Sequence, residues 1–167
     1  APWLVAFVFG LLHGFGYLLS LRGDYAQALE VADRAEALSS GSDDPVLSLA
    51  ACVLRAHAWH LQGRTQAARS QIERGLAIAE AVELVEHRGF MTDPLVTLLG
   101  MQAIEFVRSG LVQQGRAHAL RARGRAAELR QPIARLTAAW YEALLEVRLG
   151  NADRVAHAVQ LRHLFLE

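Results

Sequence analysis

Lysine is absent from this chain: all seventeen basic residues are arginine, and seventeen acidic residues cancel them. A formal net charge of +0 excludes a global field able to gather nucleic acid or an acidic membrane surface. Cysteine is nearly absent too, and the single Cys52 excludes an internal disulfide and fits a reducing, cytoplasmic setting. Placed among apolar neighbours, it reads as a small buried hydrophobe. No stretch alternates polar and apolar residues with period two for long enough to argue a strand. The glycines form neither a phosphate-cradling GxxxxGK[ST] loop nor a strand-borne GxGxxG. No Ser/His/Asp set can be argued from spacing, so the expectation is a protein that is no enzyme and carries no cofactor.

Charge is also missing locally, since Ala1 to Leu21 holds no charged residue. Such a length of helix is enough to cross a bilayer. Against a span stand His13, Tyr17, Ser20, the glycines Gly10, Gly14 and Gly16, and the lack of a basic cluster ahead of the stretch. An apolar helix buried on all sides in a helical protein has the same composition.

The rest of the chain favours that second reading. Four stretches align without gaps on Gly23, Gly63, Gly110 and Gly150, at intervals of 40, 47 and 40 residues. Seven residues before these glycines stand small residues, Gly16, Ala56, Ala103 and Ala143; five after stand Ala28, Ala68, Gly115 and then Val155. Small residues at matched places let two helices approach closely, and the glycine between them serves a left-handed turn. Four before the glycine, Leu19, Trp59 and Phe106 supply a large knob, a pattern that Glu146 breaks. Pro2, Pro45, Pro94 and Pro132 mark the other boundary, because proline suits the first turn of a helix, and Asp44 and Asp93 stand where an N-cap belongs. The pattern predicts an all-α chain of helix pairs at about 3–22 with 25–39, 46–62 with 65–82, 94–109 with 112–130, and 133–149 with 152–165. The apolar opening stretch is then the first helix of the first pair.

Small-residue pairs around a glycine turn, as in "LSLRGDYAQALEVADRA", resemble the tetratricopeptide repeat over nearly the whole chain. Leu12, Phe15, Gly16, Leu19, Gly23, Tyr25, Ala28, Ala32 and Ala35 all fit that consensus. The spacing departs from it, being longer than the usual repeat of about 34 residues. The longer repeats, the Asp-Pro starts and the "GRTQAARSQIERGLAIAEA" wording resemble the arrays of large bacterial signalling ATPases, nucleotide cyclases and transcriptional regulators. The arginine-only basic set and the abundance of alanine point the same way, toward a GC-rich bacterial genome.

The resemblance implies one repeat domain over 1–167, a right-handed solenoid of about four antiparallel pairs that serves as an interaction or sensing scaffold. Its partner is expected to be a protein or peptide, including other domains of the parent protein, with no direct nucleic-acid or membrane contact. The alternative is a structural or dimerisation segment of a signalling ATPase or cyclase with no ligand of its own. If the first helices line a concave face, positions ten, six and three before each turn glycine share it: His13, Tyr17 and Ser20; Val53, His57 and His60; Gly100, Ile104 and Val107; Trp140, Leu144 and Val147. Of these, His13, Tyr17, His57, His60 and Trp140 are the candidate partner-binding residues, because aromatic and polar groups offer stacking area and hydrogen bonds. His57 and His60, with His13 nearby, have zinc-like spacing but no carboxylate or cysteine beside them, and read as groove lining and not as a metal site.

Two charge features complete the reading. Acidic residues outnumber arginines eleven to seven up to Asp93, and arginines outnumber acids ten to six from Pro94. Arg116, Arg121, Arg123, Arg125, Arg130 and Arg135 against Glu128, like the charges of "EVADRAEAL", read as solvated helix faces, the former alternatively as a strip for an acidic partner. Finally, the absent initiator Met predicts a fragment, and the uncharged first helix and Leu161, Leu164, Phe165 and Leu166 predict self-association through apolar end helices.

Overall fold

The computed structural model describes residues 14–40, 45–81, 90, 92–129 and 131–151, and among them every regular element is an α-helix. These are α1 (14–22), α2 (Tyr25–Ser40), α3 (Pro45–Leu61), α4 (Thr65–Ala81), α5 (Pro94–Arg108), α6 (Val112–Leu129) and α7 (Pro132–Arg148). The all-α expectation holds, and the helix limits fall within a residue or two of those read from proline and glycine. The expected start of α1 near residue 3 and the helix at 152–165 lie outside the described residues. No described helix is long and apolar enough to cross a membrane.

Three helices begin on proline, whose fixed φ suits the first turn and whose missing N–H would have had no partner there. Ahead of α7, Gln131 has extended backbone and makes no side-chain capping bond, so Pro132 sets that start without help.

The glycine turns share one geometry. Gly23, Gly63, Gly110 and Gly150 have φ of +87°, +72°, +78° and +72°. At the first turn the Gly23 N–H donates to the Ser20 carbonyl at 3.2 Å and the Asp24 N–H to the Leu19 carbonyl at 2.9 Å. The equivalent pairs recur from Gly63 to His60 and Arg64 to Trp59, from Gly110 to Val107 and Leu111 to Phe106, and from Gly150 to Val147 and Asn151 to Glu146. This is a Schellman motif, in which two bonds satisfy carbonyls left over at the helix end and a left-handed residue reverses the chain. The residue after the glycine at once accepts the first bond of the next helix, from Ala28 to Asp24, Ala68 to Arg64 and Gly115 to Leu111. The connection is therefore two residues long after α1 and three after α3 and α5.

Helices before and after a turn differ in burial. The later ones, α2, α4 and α6, bury a single stripe of mostly small residues: Ala28, Val31, Ala32 and Ala35; Ala68, Ile72, Gly75, Leu76 and Ala79; Gly115, Ala119, Ala122 and Ala126. By contrast α3 buries residues on every side, Cys52 among them, as an all-round apolar helix must.

The chain divides into two compact bodies, Ala1–Pro94 and Leu95–Glu167. In the first, α3 packs on both α2 and α4. Its core gathers Leu19, Ala28, Val31, Ala32, Leu54 and Ala58, with Tyr25 and Leu29 against them. A Cβ on Gly16 would touch Leu54 and Val31 at 3.0 to 3.2 Å, so α1 lies close on both following helices because that position is small.

In the second body the close approach is tighter. A Cβ on Gly115 of α6 would come within 2.8 Å of the Ala103 carbonyl oxygen and of Val107 on α5. This is the small-residue pairing expected from positions seven before and five after a turn glycine. Gly100 of α5 is covered by the ring of Tyr141 of α7, which would collide with any Cβ there.

Candidate functional site

The candidate contact residues lie on the helices that precede the glycine turns. Tyr17 of α1 and His57 of α3, both six residues before their glycine, stack with ring centroids 4.3 Å apart and planes 21° apart. Tyr17 is half-buried and its phenol is raised above the ordinary value by that burial. His57, His60 and Ser20 are buried, and the Ser20 hydroxyl donates to the Gly16 carbonyl at 3.1 Å. Val53, Gly100 and Ile104 are buried as well, and Val107 touches the Gly115 position. His13 lies outside the described residues.

On α7 the same positions are open. Trp140 is 65% exposed, Val147 is exposed and Leu144 is half-buried. Leu136 and Ile133 continue the row one and two turns earlier, both exposed. The spacing of 3, 4, 4 and 3 residues along 133, 136, 140, 144 and 147 keeps the row on one helical face. On α1 the open apolar side chains are Phe15, Leu18 and Leu21. Thus positions that are covered in α3 and α5 stand open in α7, while α1 is open on another side.

Charged groups that looked solvated in the sequence have internal partners. Glu36 of α2 accepts from Arg55 of α3 at 3.0 Å and from Arg74 of α4 at 2.6 Å, and Asp33 takes the other arm of Arg55 at 2.7 Å. Of the charges in "EVADRAEAL", Glu30, Asp33 and Arg34 are exposed, as a solvated face requires, whereas Glu36 is half-buried in an ion-pair node that ties three helices together. Arginine makes this possible because its planar fork and long stem span the gap between packed helices. Burial alone would raise the Glu36 carboxyl, but the hydrogen bonds and charges of Arg74 and Arg55 outweigh it and hold the group below the usual value. The same carboxylate raises the Arg74 guanidinium.

Cys52 is fully buried, and burial raises its thiol despite the two nearby arginines. A thiol held protonated is a poor nucleophile and metal ligand. Among the described residues no group of three His, Cys, Asp or Glu side chains is placed to hold a metal ion.

In the second body Glu146 of α7 is 4% exposed, held by Arg116 of α6 at 2.5 Å and by the Asn151 side chain at 2.6 Å. The residue that broke the knob pattern is therefore a knob of another kind, a carboxylate kept in the interior by partners from α6 and from the turn. Arg123 reaches Glu142 of α7 at 3.2 Å. Two members of the arginine run are thus spent on contacts between α6 and α7 and are not free for an acidic partner.

No family model, curated protein or solved structure matches this chain.

Proposed function

We propose that the chain is a helical-repeat interaction module of the tetratricopeptide type, one that holds a protein or peptide segment and belongs to a larger bacterial signalling or regulatory protein. The observation that carries this reading is the recurrence of one turn, with the same bonds and the same positive-φ glycine, at Gly23, Gly63, Gly110 and Gly150. A chain built by repeating one helix–turn–helix unit buries each unit against its neighbours and leaves an extended surface, which is what such arrays use for binding.

Antiparallel pairing and a right-handed solenoid are part of the proposal. In support, Ser39 meets Ser48 at 2.7 Å and Glu36 meets Arg55, so positions descend along α2 as they ascend along α3. Contacts between successive first helices, Tyr17 with His57 and Gly100 with Tyr141, are those a stacked array requires. Cytoplasmic placement accompanies this reading.

The accessible members of the candidate set, Tyr17 and Trp140, are the ones offered to a partner; buried His57 and His60 act by positioning Tyr17 and the helix that carries it. The test is selection of binding peptides from a displayed library, followed by titration of the best sequence. Loss of binding in Tyr17→Ala or Trp140→Ala, with helicity and melting unchanged, supports the reading. A library that yields no saturable binder overturns it. A second reading, a self-association segment of a signalling ATPase or cyclase, is favoured by the open apolar faces of α1 and α7.

A further inference from the structure

Two ion pairs occupy the same place in the repeat. Counting from the turn glycines, Glu36 stands thirteen after Gly23 and Arg55 eight before Gly63; the equivalents about Gly110 and Gly150 are Arg123 and Glu142. In each pair a guanidinium Nη1 donates to the carboxylate, at 3.0 Å between α2 and α3 and at 3.2 Å between α6 and α7. The geometry recurs while the signs reverse: the earlier helix carries the carboxylate in the first body and the guanidinium in the second. Asp33, ten after Gly23, takes the other arm of Arg55 and adds to the acidity of α2 at this contact, whereas the matching place on α6 holds Leu120.

The reversal matters because so much else at the two contacts is alike. Both α2 and α6 follow a turn of one geometry and bury a stripe of mostly small residues, so each offers a similar apolar surface to the helix that comes after it. Units that resemble one another can exchange neighbours as the chain folds, within one copy or between two, and such misassembly is a characteristic failure of repeat proteins. If α2 met α7, Glu36 and Asp33 would face Glu142. If α6 met α3, Arg123 would face Arg55. Each wrong meeting sets like charges together and each right one opposite charges, so a pair that adds little stability at an exposed edge counts twice in the choice of neighbour.

We infer that the reversed pair directs which helix stacks on which: Glu36 with Arg55 and Arg123 with Glu142 are mutually exclusive labels for the α2–α3 and α6–α7 contacts. This goes beyond partner capture and depends only on positions counted from the turn glycines. Reversing one pair would make the two labels the same. The second pair is the one to reverse, because Glu36 also holds Arg74 and Arg55 also holds Asp33, and a reversal in the first body would set those partners against like charges.

Refolding of the whole chain from urea at high protein concentration tests this. Arg123→Glu alone opposes two carboxylates and should lower the urea midpoint; adding Glu142→Arg restores an opposite pair and should return the midpoint to that of wild type. In the doubly reversed chain α6 is acidic and α7 basic, so α3 can accept α6 and α2 can accept α7. Its ratio of misassembled to native chains should exceed that of wild type about threefold or more, because each wrong contact changes from repulsion to attraction at the strength of an exposed pair. The readout is the fraction that fails to regain the size and helicity of the same chain before unfolding. Added salt should narrow the difference. Arg123→Gln with Glu142→Gln removes the label without inviting the wrong neighbour and should fall between the two. Equal recovery of wild type and the doubly reversed chain would overturn the inference, as would a midpoint that the second reversal does not restore. A glutamine pair that refolds no better than the reversed pair would overturn it too, since the loss would then come from the missing bond and not from a wrong partner.

Discussion

In the first body the side chain four residues before the turn glycine is Leu19, packed among Ala28, Val31, Ala32, Leu54 and Ala58. In the second, the same place before Gly150 holds Glu146, a buried carboxylate gripped by Arg116 and Asn151. The backbone around them is the same, with the carbonyl of each accepting from the residue after the glycine at 2.9 and 3.0 Å. A turn closed by main-chain bonds leaves its side chain free to answer to its neighbours. Where α2 and α3 supply methyls, the position is apolar; where α6 supplies a guanidinium, it is charged.

The same contrast runs through the ion pairs. The first body keeps its arginine–carboxylate node at a partly exposed edge, with the Glu36 side chain 26% exposed, whereas the second body draws Glu146 inside. Exposed pairs contribute little, and buried ones are costly to break because one charge is left without its partner. The sharpest way to break the comparison is therefore Arg116→Ala, which should cost about 3 kcal/mol in urea unfolding. Replacing both partners, Arg116→Met with Glu146→Leu, should return stability to within about 1 kcal/mol of wild type, since a well-packed apolar pair commonly matches a buried ion pair. A double variant as unstable as the single one would mean that the carboxylate is needed for more than its pair.

Glycine notches give the next largest effect, and α6 carries its own control. Gly115→Ala pushes a methyl into the Ala103 carbonyl and Val107, and should cost about 1–3 kcal/mol as overpacking. Gly124 on the same helix has no described atom within 4 Å of a Cβ, so Gly124→Ala should instead stabilise by up to about 1 kcal/mol through helix propensity alone. Equal melting shifts in the two variants would refute the close approach of α5 and α6.

How much of this could be read from the sequence depends on the range of each cause. Helix limits were legible because proline and glycine act on their own backbone: Pro45, Pro94 and Pro132 start helices, and the glycines at 23, 63, 110 and 150 end them. The notch at Gly115 was legible because its partner Ala103 belongs to the same helix pair. The ion-pair partners were not legible, since Glu36 finds Arg74 38 residues away and Arg116 finds Glu146 30 away, and local spacing carries no trace of such meetings. Among the candidate contact residues, polarity suggested that His57 and His60 line an open groove, whereas both are buried. Their burial depends on which side of an all-round apolar helix meets which neighbour, and a helix without a polar face does not encode that choice.

Glu36 sharpens the comparison by pH. Its carboxyl is held below the usual value in the folded chain, so its contribution is present above the unfolded value and is lost as pH falls through the folded one. Glu36→Gln should cost about 1–2 kcal/mol near neutral pH, discounted for its partial exposure, and the gap to wild type should close as the solution is acidified through and below the carboxylate range. Urea melts at a series of pH values read this directly, and a gap that stays constant in acid would show that Arg55 and Arg74 do not stabilise the charged form.

The smallest effects concern what the two bodies share. At Gly23, Gly63, Gly110 and Gly150 no described atom lies within 4 Å of a Cβ, so alanine there meets no neighbour and the strain is that of the left-handed backbone alone. Each Gly→Ala change should therefore cost about 1 kcal/mol, the penalty for an L side chain in that region. The costs should agree closely across the four turns, because φ spans only +72° to +87° and the paired bonds are the same. Asparagine, which tolerates the left-handed region better, should recover part of the loss at every turn. Unfolding curves for the four alanine variants measure this, with Gly63→Ala from the first body and Gly110→Ala from the second as the most direct pair. Unequal costs there would mean that the turns resemble one another in bonds and angles but carry different loads, so that the repeat is one of shape without being one of energy.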